Sequence, residues 1–135
     1  MDANLTIHFD GSCQPKNPGG IAAYGFEITD SSGKTVHSDS AEVCRGPQAT
    51  NNIAEWAGLT AAIRYLKNVG WKGNLTILGD SKLVINQLNG KWRCKKEHLQ
   101  PYLEESTSLL KGMNWTAEWV PRSKNQNADL LSRRG

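Results

Sequence analysis

Three strand-like runs joined by tight turns, followed by strands that alternate with helices, restrict this chain to a mixed β-sheet covered by helices. Apolar and β-branched residues mark strands near Leu5 to Phe9, Ala22 to Thr29 and Lys34 to Val43, and the turn signals Pro18-Gly19-Gly20 and Ser31-Ser32-Gly33 fold them into hairpins. Downstream, strands near Leu75 to Leu78 and Thr116 to Val120 are interleaved with helical patterns near Asn52 to Val69, Ser81 to Leu88 and Glu97 to Lys111. Hairpins make antiparallel neighbours and strand-helix-strand units make parallel ones, so the expected class is α/β: one mixed sheet with helices on both faces. A length of 135 residues fits one domain spanning 1–135, with no repeat or low-complexity tract.

Four acids interrupt this pattern. Asp10 closes the run Thr6-Ile7-His8-Phe9 and precedes small residues, so it is expected late in or just past the first strand. Asp80 follows Leu75-Thr76-Ile77-Leu78-Gly79 at a strand-to-helix junction, the end of an open α/β sheet where ligands gather. Glu55 shares the helical stripe of Leu59, Ala62, Leu66 and Val69, which aims a carboxylate at the core side. A buried lone charge is costly, so it needs a proton or a partner, and a shared cation would serve. Asp129 is expected in the first turn of a closing helix, where the helix dipole alone would also favour an acid.

Composition narrows the rest. No apolar run approaches a membrane span, and Met1-Asp2-Ala3-Asn4 lacks the basic-then-apolar order of a secretory signal, so a soluble, cytoplasmic monomer is expected. Three cysteines, Cys13, Cys44 and Cys94, have no metal-ligand spacing and suit a reducing compartment. Asn4-Leu5-Thr6, Asn74-Leu75-Thr76 and Asn114-Trp115-Thr116 match the glycosylation pattern and are read as coincidences at strand starts. A net charge of +3 does not announce nucleic acid, but Lys91, Arg93, Lys95 and Lys96 bracket Trp92, and Arg122, Lys124, Arg133 and Arg134 gather near Asp129. Basic residues around an aromatic suit a phosphate backbone with a stacking surface, and a solvated face reads equally well.

The blocks Asp10-Gly11-Ser12-Cys13, Thr50-Asn51-Asn52-Ile53-Ala54-Glu55, Gly79-Asp80-Ser81 and Asn127-Ala128-Asp129-Leu130-Leu131 together resemble type 1 ribonuclease H, in order and spacing, from Asn4 to about Ser132. The resemblance implies the ribonuclease H-like fold, a five-stranded sheet of order 3-2-1-4-5 with the second strand antiparallel. It also implies endonucleolytic hydrolysis of the RNA strand of RNA/DNA hybrids, leaving 3′-hydroxyl and 5′-phosphate ends. Carboxylates select hard cations, so the cofactor is expected to be Mg²⁺, two ions with substrate, with Mn²⁺ able to substitute. Asp10 would bridge both ions, Glu55 and Asp80 would hold the leaving-group metal, and Asp129 the metal that carries the attacking water.

By the same resemblance, Cys13, Gln14, Asn17 and Asn51, with Glu55 itself, would read the RNA 2′-hydroxyl. Thr50 and Asn52 would form a phosphate pocket for the DNA strand, Trp92 would pack on deoxyribose, and Ser81 and Lys95 would add contacts. Thr50, Asn51 and Asn52 also read as helix capping, and both roles are compatible because helix starts bind anions. Two departures stand out. The segment Pro121-Arg122-Ser123-Lys124-Asn125 holds no histidine where many relatives have one, leaving Arg122 as the expected substitute. No long basic protrusion follows Trp92, which resembles the compact members of the family; cleavage of double-stranded RNA stays open as a second activity. The rival readings are a DNA-cutting enzyme of the same fold, a non-catalytic nucleic-acid binding module, and a detached domain of a reverse transcriptase polyprotein.

Overall fold

A computed structural model describes residues 1–134. The strands are β1 (Asn4–Gln14), β2 (Ile21–Asp30), β3 (Thr35–Arg45), β4 (Asn74–Gly79) and β5 (Asn114–Trp119). The helices are α1 (Asn51–Asn68), α2 (Lys82–Leu88), α3 (Gln100–Leu110) and α4 (Gln126–Ser132), with a 3-10 turn at Arg122–Lys124. The strands form one sheet of order β3-β2-β1-β4-β5, antiparallel across the two hairpins and parallel from β1 to β4 to β5. The expected order and the antiparallel second strand are both present.

The side of the sheet that carries the core is covered by α1. Leu5, Ile7 and Phe9 of β1, Phe26 and Ile28 of β2, and Leu75 and Ile77 of β4 pack with Trp56, Leu59, Ile63 and Leu66, all essentially removed from water. Burial of this apolar surface supplies the main driving force for the fold. Polar groups inside are paired: the Trp56 indole N–H donates to Gln87 Oε1 at 2.9 Å, and the Thr60 and Ser106 hydroxyls meet at 2.9 Å between α1 and α3. The short α4 lies against β1 and β2 on the other face. A Cβ at Gly25 would stand 2.4 Å from the Ser132 nitrogen, so this glycine lets α4 approach the sheet.

Several boundaries differ from the sequence expectation. β1 does not end at Asp10 but runs on to Gln14, paired residue by residue with β2 as far as Gln14↔Ile21. Val69 caps α1 instead of joining its buried stripe and is 47% exposed. α3 starts at Gln100, three residues later than expected, because Pro101 fits only the first turn of a helix.

The three glycosylation-like triplets have a structural explanation. Asn4, Asn74 and Asn114 align in register across β1, β4 and β5, and the amide of Asn114 donates to Asn74 and that of Asn74 to Asn4, each at 3.0 Å. Thr6, Thr76 and Thr116 form the next row on the same face. No helix among the described residues is long and apolar enough to cross a membrane.

Candidate active site

Topology brings three of the acids together. Adjacent parallel strands place Phe9 opposite Gly79, so Asp10, within β1, and Asp80, just past the end of β4, stand at the same level. Glu55 arrives from α1, whose start is fixed by the Thr50 hydroxyl accepting from the Ile53 N–H at 3.2 Å. The close approach depends on Gly11, where a Cβ would lie 2.3 Å from the Glu55 nitrogen and 2.6 Å from the Ala54 carbonyl carbon. Asp10, Glu55 and Asp80 each offer an oxygen within 4.8 Å of the others.

The electrostatics of this trio are unfavourable without a cation. Asp10 is 2% exposed and Glu55 4%. Apart from the Gly11 N–H, which donates to Asp10 Oδ1 at 2.9 Å, the trio has few donors; Asp10 Oδ2, Glu55 Oε2 and Asp80 Oδ2 are buried without any hydrogen-bond partner. Burial, helped by the charge of Asp80 and by the nearby Asp129 carboxyl as a hydrogen-bonding neighbour, pushes the Asp10 carboxyl up to about 7. Burial and then the Asp10 charge push Glu55 well above the usual carboxylate range. Three converging, unpartnered oxygens of hard carboxylate type are a donor set for a divalent cation.

Asp129 stands apart from the trio. It sits in the first turn of α4, as the sequence suggests, close enough to influence Asp10, while its Oδ1 is paired with Arg133 Nε at 3.3 Å. The α4 entry is anchored by Asn125, which is buried and donates from its side-chain amide to the Phe9 carbonyl at 2.8 Å. Nothing in the sequence marks Asn125 for this role, since an Asn before a helix looks like an ordinary cap.

A cleft of about 440 Å³ around the trio is bordered by Gly11, Asn51, Ser81, Trp119 and Arg122. A smaller groove of about 180 Å³ adjoins it, with Ser12, Cys13, Gln14, Asn17 and Arg133 beside Asn51 and Arg122. Asn17 and Asn51 are joined reciprocally: the Asn17 amide donates to Asn51 Oδ1 at 2.7 Å, and the Asn51 N–H to Asn17 Oδ1 at 3.3 Å. Cys13 lines the groove, and its buried thiol lies within hydrogen-bond reach of the Lys16 and Ala49 carbonyls, which occupies its one donor. Ser81 caps α2 by accepting from Val84 N–H at 3.2 Å. Asn52 is half-buried in the first turn of α1.

Trp92 and Lys95 do not border the acid cleft. They lie in the segment between α2 and α3, where Trp92 is 49% exposed and Lys91, Arg93, Lys95 and Lys96 are exposed around it. An indole this exposed is not a core-packing residue. Buried Cys94 and Leu99 pin this basic segment to the core.

The comparisons with known proteins agree with this geometry. A family model described as "Reverse transcriptase-like" matches residues 8–135. The crystal structure of RNase H1 from the archaeon Halobacterium salinarum superposes with a TM-score of 0.86 at 31% identity, covering 97% of this chain and 96% of that one. The chain belongs to the type 1 ribonuclease H family. Among its ribonuclease H neighbours, LC11-RNase H1, solved in complex with an RNA/DNA hybrid, matches at TM-score 0.87 and 27% identity over 97% of this chain and 95% of that one. The uncharacterized protein YpeP of Bacillus subtilis is 35% identical over 97% of this chain. The chain spans 58% of YpeP and 34% of the next curated relative.

Proposed function

We propose that this ribonuclease H domain, taken as one unit over residues 1–135, is an endonuclease that hydrolyses the RNA strand of RNA/DNA hybrids, with Mg²⁺ as cofactor and Mn²⁺ as its substitute. The observation that carries this reading is the trio Asp10, Glu55 and Asp80, whose buried oxygens converge without partners beside the polar groove. Asp10 would be the shared ligand of two ions, with Glu55 and Asp80 completing one position and Asp129 the other. Bound there, Mg²⁺ supplies positive charge where the phosphoryl group gains negative charge, and it acidifies water.

The remaining work falls to the chain's own groups. The Gly11 N–H fixes one oxygen of Asp10 and leaves the other for a cation. Asn17 and Asn51 present an amide pair beside the acids, and amides suit a 2′-hydroxyl because they both donate and accept. Thr50 and Asn52 at the start of α1 offer an anion site for the DNA strand. Trp92 and Lys95 give a detached patch with an exposed ring and several cations, suited to backbone contact farther along the duplex. The products would carry 3′-hydroxyl and 5′-phosphate ends.

The decisive assay compares an RNA/DNA hybrid, double-stranded RNA and double-stranded DNA as substrates in Mg²⁺. Cleavage of the hybrid's RNA strand is expected; cutting of DNA alone, or binding of hybrid with no cleavage in Mg²⁺ or Mn²⁺, overturns the reading, and the RNA duplex arm decides the second activity. Arg122 is exposed and borders both the acid cleft and the groove, as a planar phosphate-binding group should. Arg122→Ala is expected to lower turnover at saturating metal by about tenfold, the equivalent of one charge-assisted hydrogen bond. Unchanged turnover would remove Arg122 from the reaction.

A further inference from the structure

Trp119 ends β5 as a 44% exposed indole at the border of the acid cleft, an unusual place for so large an apolar side chain. Two contacts account for it. Its Nε1–H donates to the main-chain carbonyl of Asp80 at 3.1 Å, and the Lys82 ammonium stands 4.8 Å from the ring centroid. The Asp80 peptide is thereby bracketed. On its N-terminal side the Gly79 carbonyl accepts from the Val120 N–H at 2.9 Å, and on its C-terminal side Ser81 caps α2 with its hydroxyl. Between these two fixed points, the Asp80 carbonyl is held by the Trp119 indole from β5.

Lys82 reinforces the argument. A cation in the first turn of a helix opposes the helix dipole, and the face of the indole offsets that penalty by attracting the ammonium. The ring thus parks a positive charge to the side while its N–H orients the residue that carries an acid. The carboxylate of Asp80 itself has an unpartnered buried oxygen, so its direction is set mainly through the main chain.

We propose that Trp119 is a positioning residue for the acid site: through the Asp80 peptide it fixes the direction of the Asp80 carboxylate and so tunes the affinity of the trio for a divalent cation. The nuclease reading enters only where activity is measured. Outer-shell partners of metal ligands commonly change metal affinity by about 10- to 100-fold, and a hydrogen bond to the main chain of a ligand should act at or below the lower end.

The test uses Trp119→Phe, which keeps an aromatic ring but removes the N–H, and Lys82→Gln, which keeps the indole bond. Mn²⁺ binding to the protein without nucleic acid is measured by calorimetry, alongside thermal melting and the Mg²⁺ dependence of hybrid cleavage. Trp119→Phe is expected to weaken Mn²⁺ binding by roughly 3- to 10-fold and to raise the Mg²⁺ concentration for half-maximal rate similarly, with the rate largely restored at saturating metal. Its melting temperature should stay within a few degrees of wild type, because the ring is half exposed. Lys82→Gln should leave Mn²⁺ binding unchanged or tighter, since it removes a positive charge. Wild-type Mn²⁺ affinity in Trp119→Phe, equal weakening in Lys82→Gln, or collapse of the fold in Trp119→Phe would each overturn the proposal. Weakened Mn²⁺ binding in a protein that cleaves no hybrid would leave it standing and sink the nuclease reading instead.

Discussion

Replacing Asp10 by Asn is expected to lower hybrid cleavage in Mg²⁺ by about three orders of magnitude or more, while making the metal-free protein more stable. The loss follows from removing the ligand expected to be shared between two ions, since several kcal/mol of transition-state stabilisation come from that charge and each 1.36 kcal/mol is tenfold in rate. The gain follows from the unpartnered oxygens. Asp10 and Glu55 are nearly sealed from water and face each other and Asp80. An amide at position 10 removes one charge and offers N–H groups to oxygens that have no donor.

The pH dependence gives this stability effect a definite direction. The Asp10 carboxyl titrates at about 7 in the folded chain against an ordinary value of 3.8, so the native state holds a proton that the unfolded chain releases. The associated stability is fully present below pH 3.8 and is lost as pH rises through 7. In chelator, wild type should therefore lose on the order of 2–4 kcal/mol between pH 4 and pH 8 from this group, and Asp10→Asn should not. Denaturant unfolding at both pH values measures the difference. Parallel pH profiles for the two proteins, or undiminished cleavage by the variant, would contradict a strained, metal-binding carboxylate at this position.

Gly11→Ala should have the second largest effect, a loss of about 3 kcal/mol or more in unfolding free energy together with weakened divalent metal binding. The new methyl would meet the Glu55 nitrogen at 2.3 Å and the Ala54 carbonyl carbon at 2.6 Å, both of them main-chain atoms that no rotamer change can move. Relief requires α1 to withdraw from β1, which carries Glu55 away from Asp10. Gly33→Ala is the natural control: a Cβ there meets nothing within 4 Å, and only its positive φ of 85° is strained. That variant should cost about 1–2 kcal/mol and leave metal binding intact. Equal costs in urea unfolding, or wild-type metal affinity in Gly11→Ala, would remove close approach as the reason for the glycine.

Gly11 also illustrates what the sequence could and could not reveal. Periodicity located all five strands and the main helices, and the stripe containing Leu59, Ala62 and Leu66 was by itself enough to point Glu55 inward. Small residues after Asp10 looked like a turn because Gly and Ser are common there, yet β2 pairs with them to the end of β1. A glycine inside a strand signals a neighbouring backbone, but which backbone is a tertiary fact. Trp119 and Asn125 were illegible for the same reason: each acts on a residue distant in sequence, Asp80 and Phe9 respectively. Asp129 was legible as a helix-start acid and its pairing with Arg133 is a local i,i+4 contact of α4, whereas its position relative to Asp10 depends on where α4 settles.

The asparagine ladder at the start of β1, β4 and β5 bears on how the protein is best produced. Each of its asparagines belongs to an Asn-x-Thr triplet, and all three are solvent-exposed. Expression routed through a eukaryotic secretory pathway would present three acceptor sites to the glycosylation machinery. A sugar on the Asn74 amide would occupy the nitrogen that bridges to Asn4, wedging a bulky group between the two strands that position Asp10 and Asp80. Material from such a host should be heterogeneous in mass, and Thr6→Val, Thr76→Val and Thr116→Val would abolish the acceptor sites while leaving the ladder's amides in place.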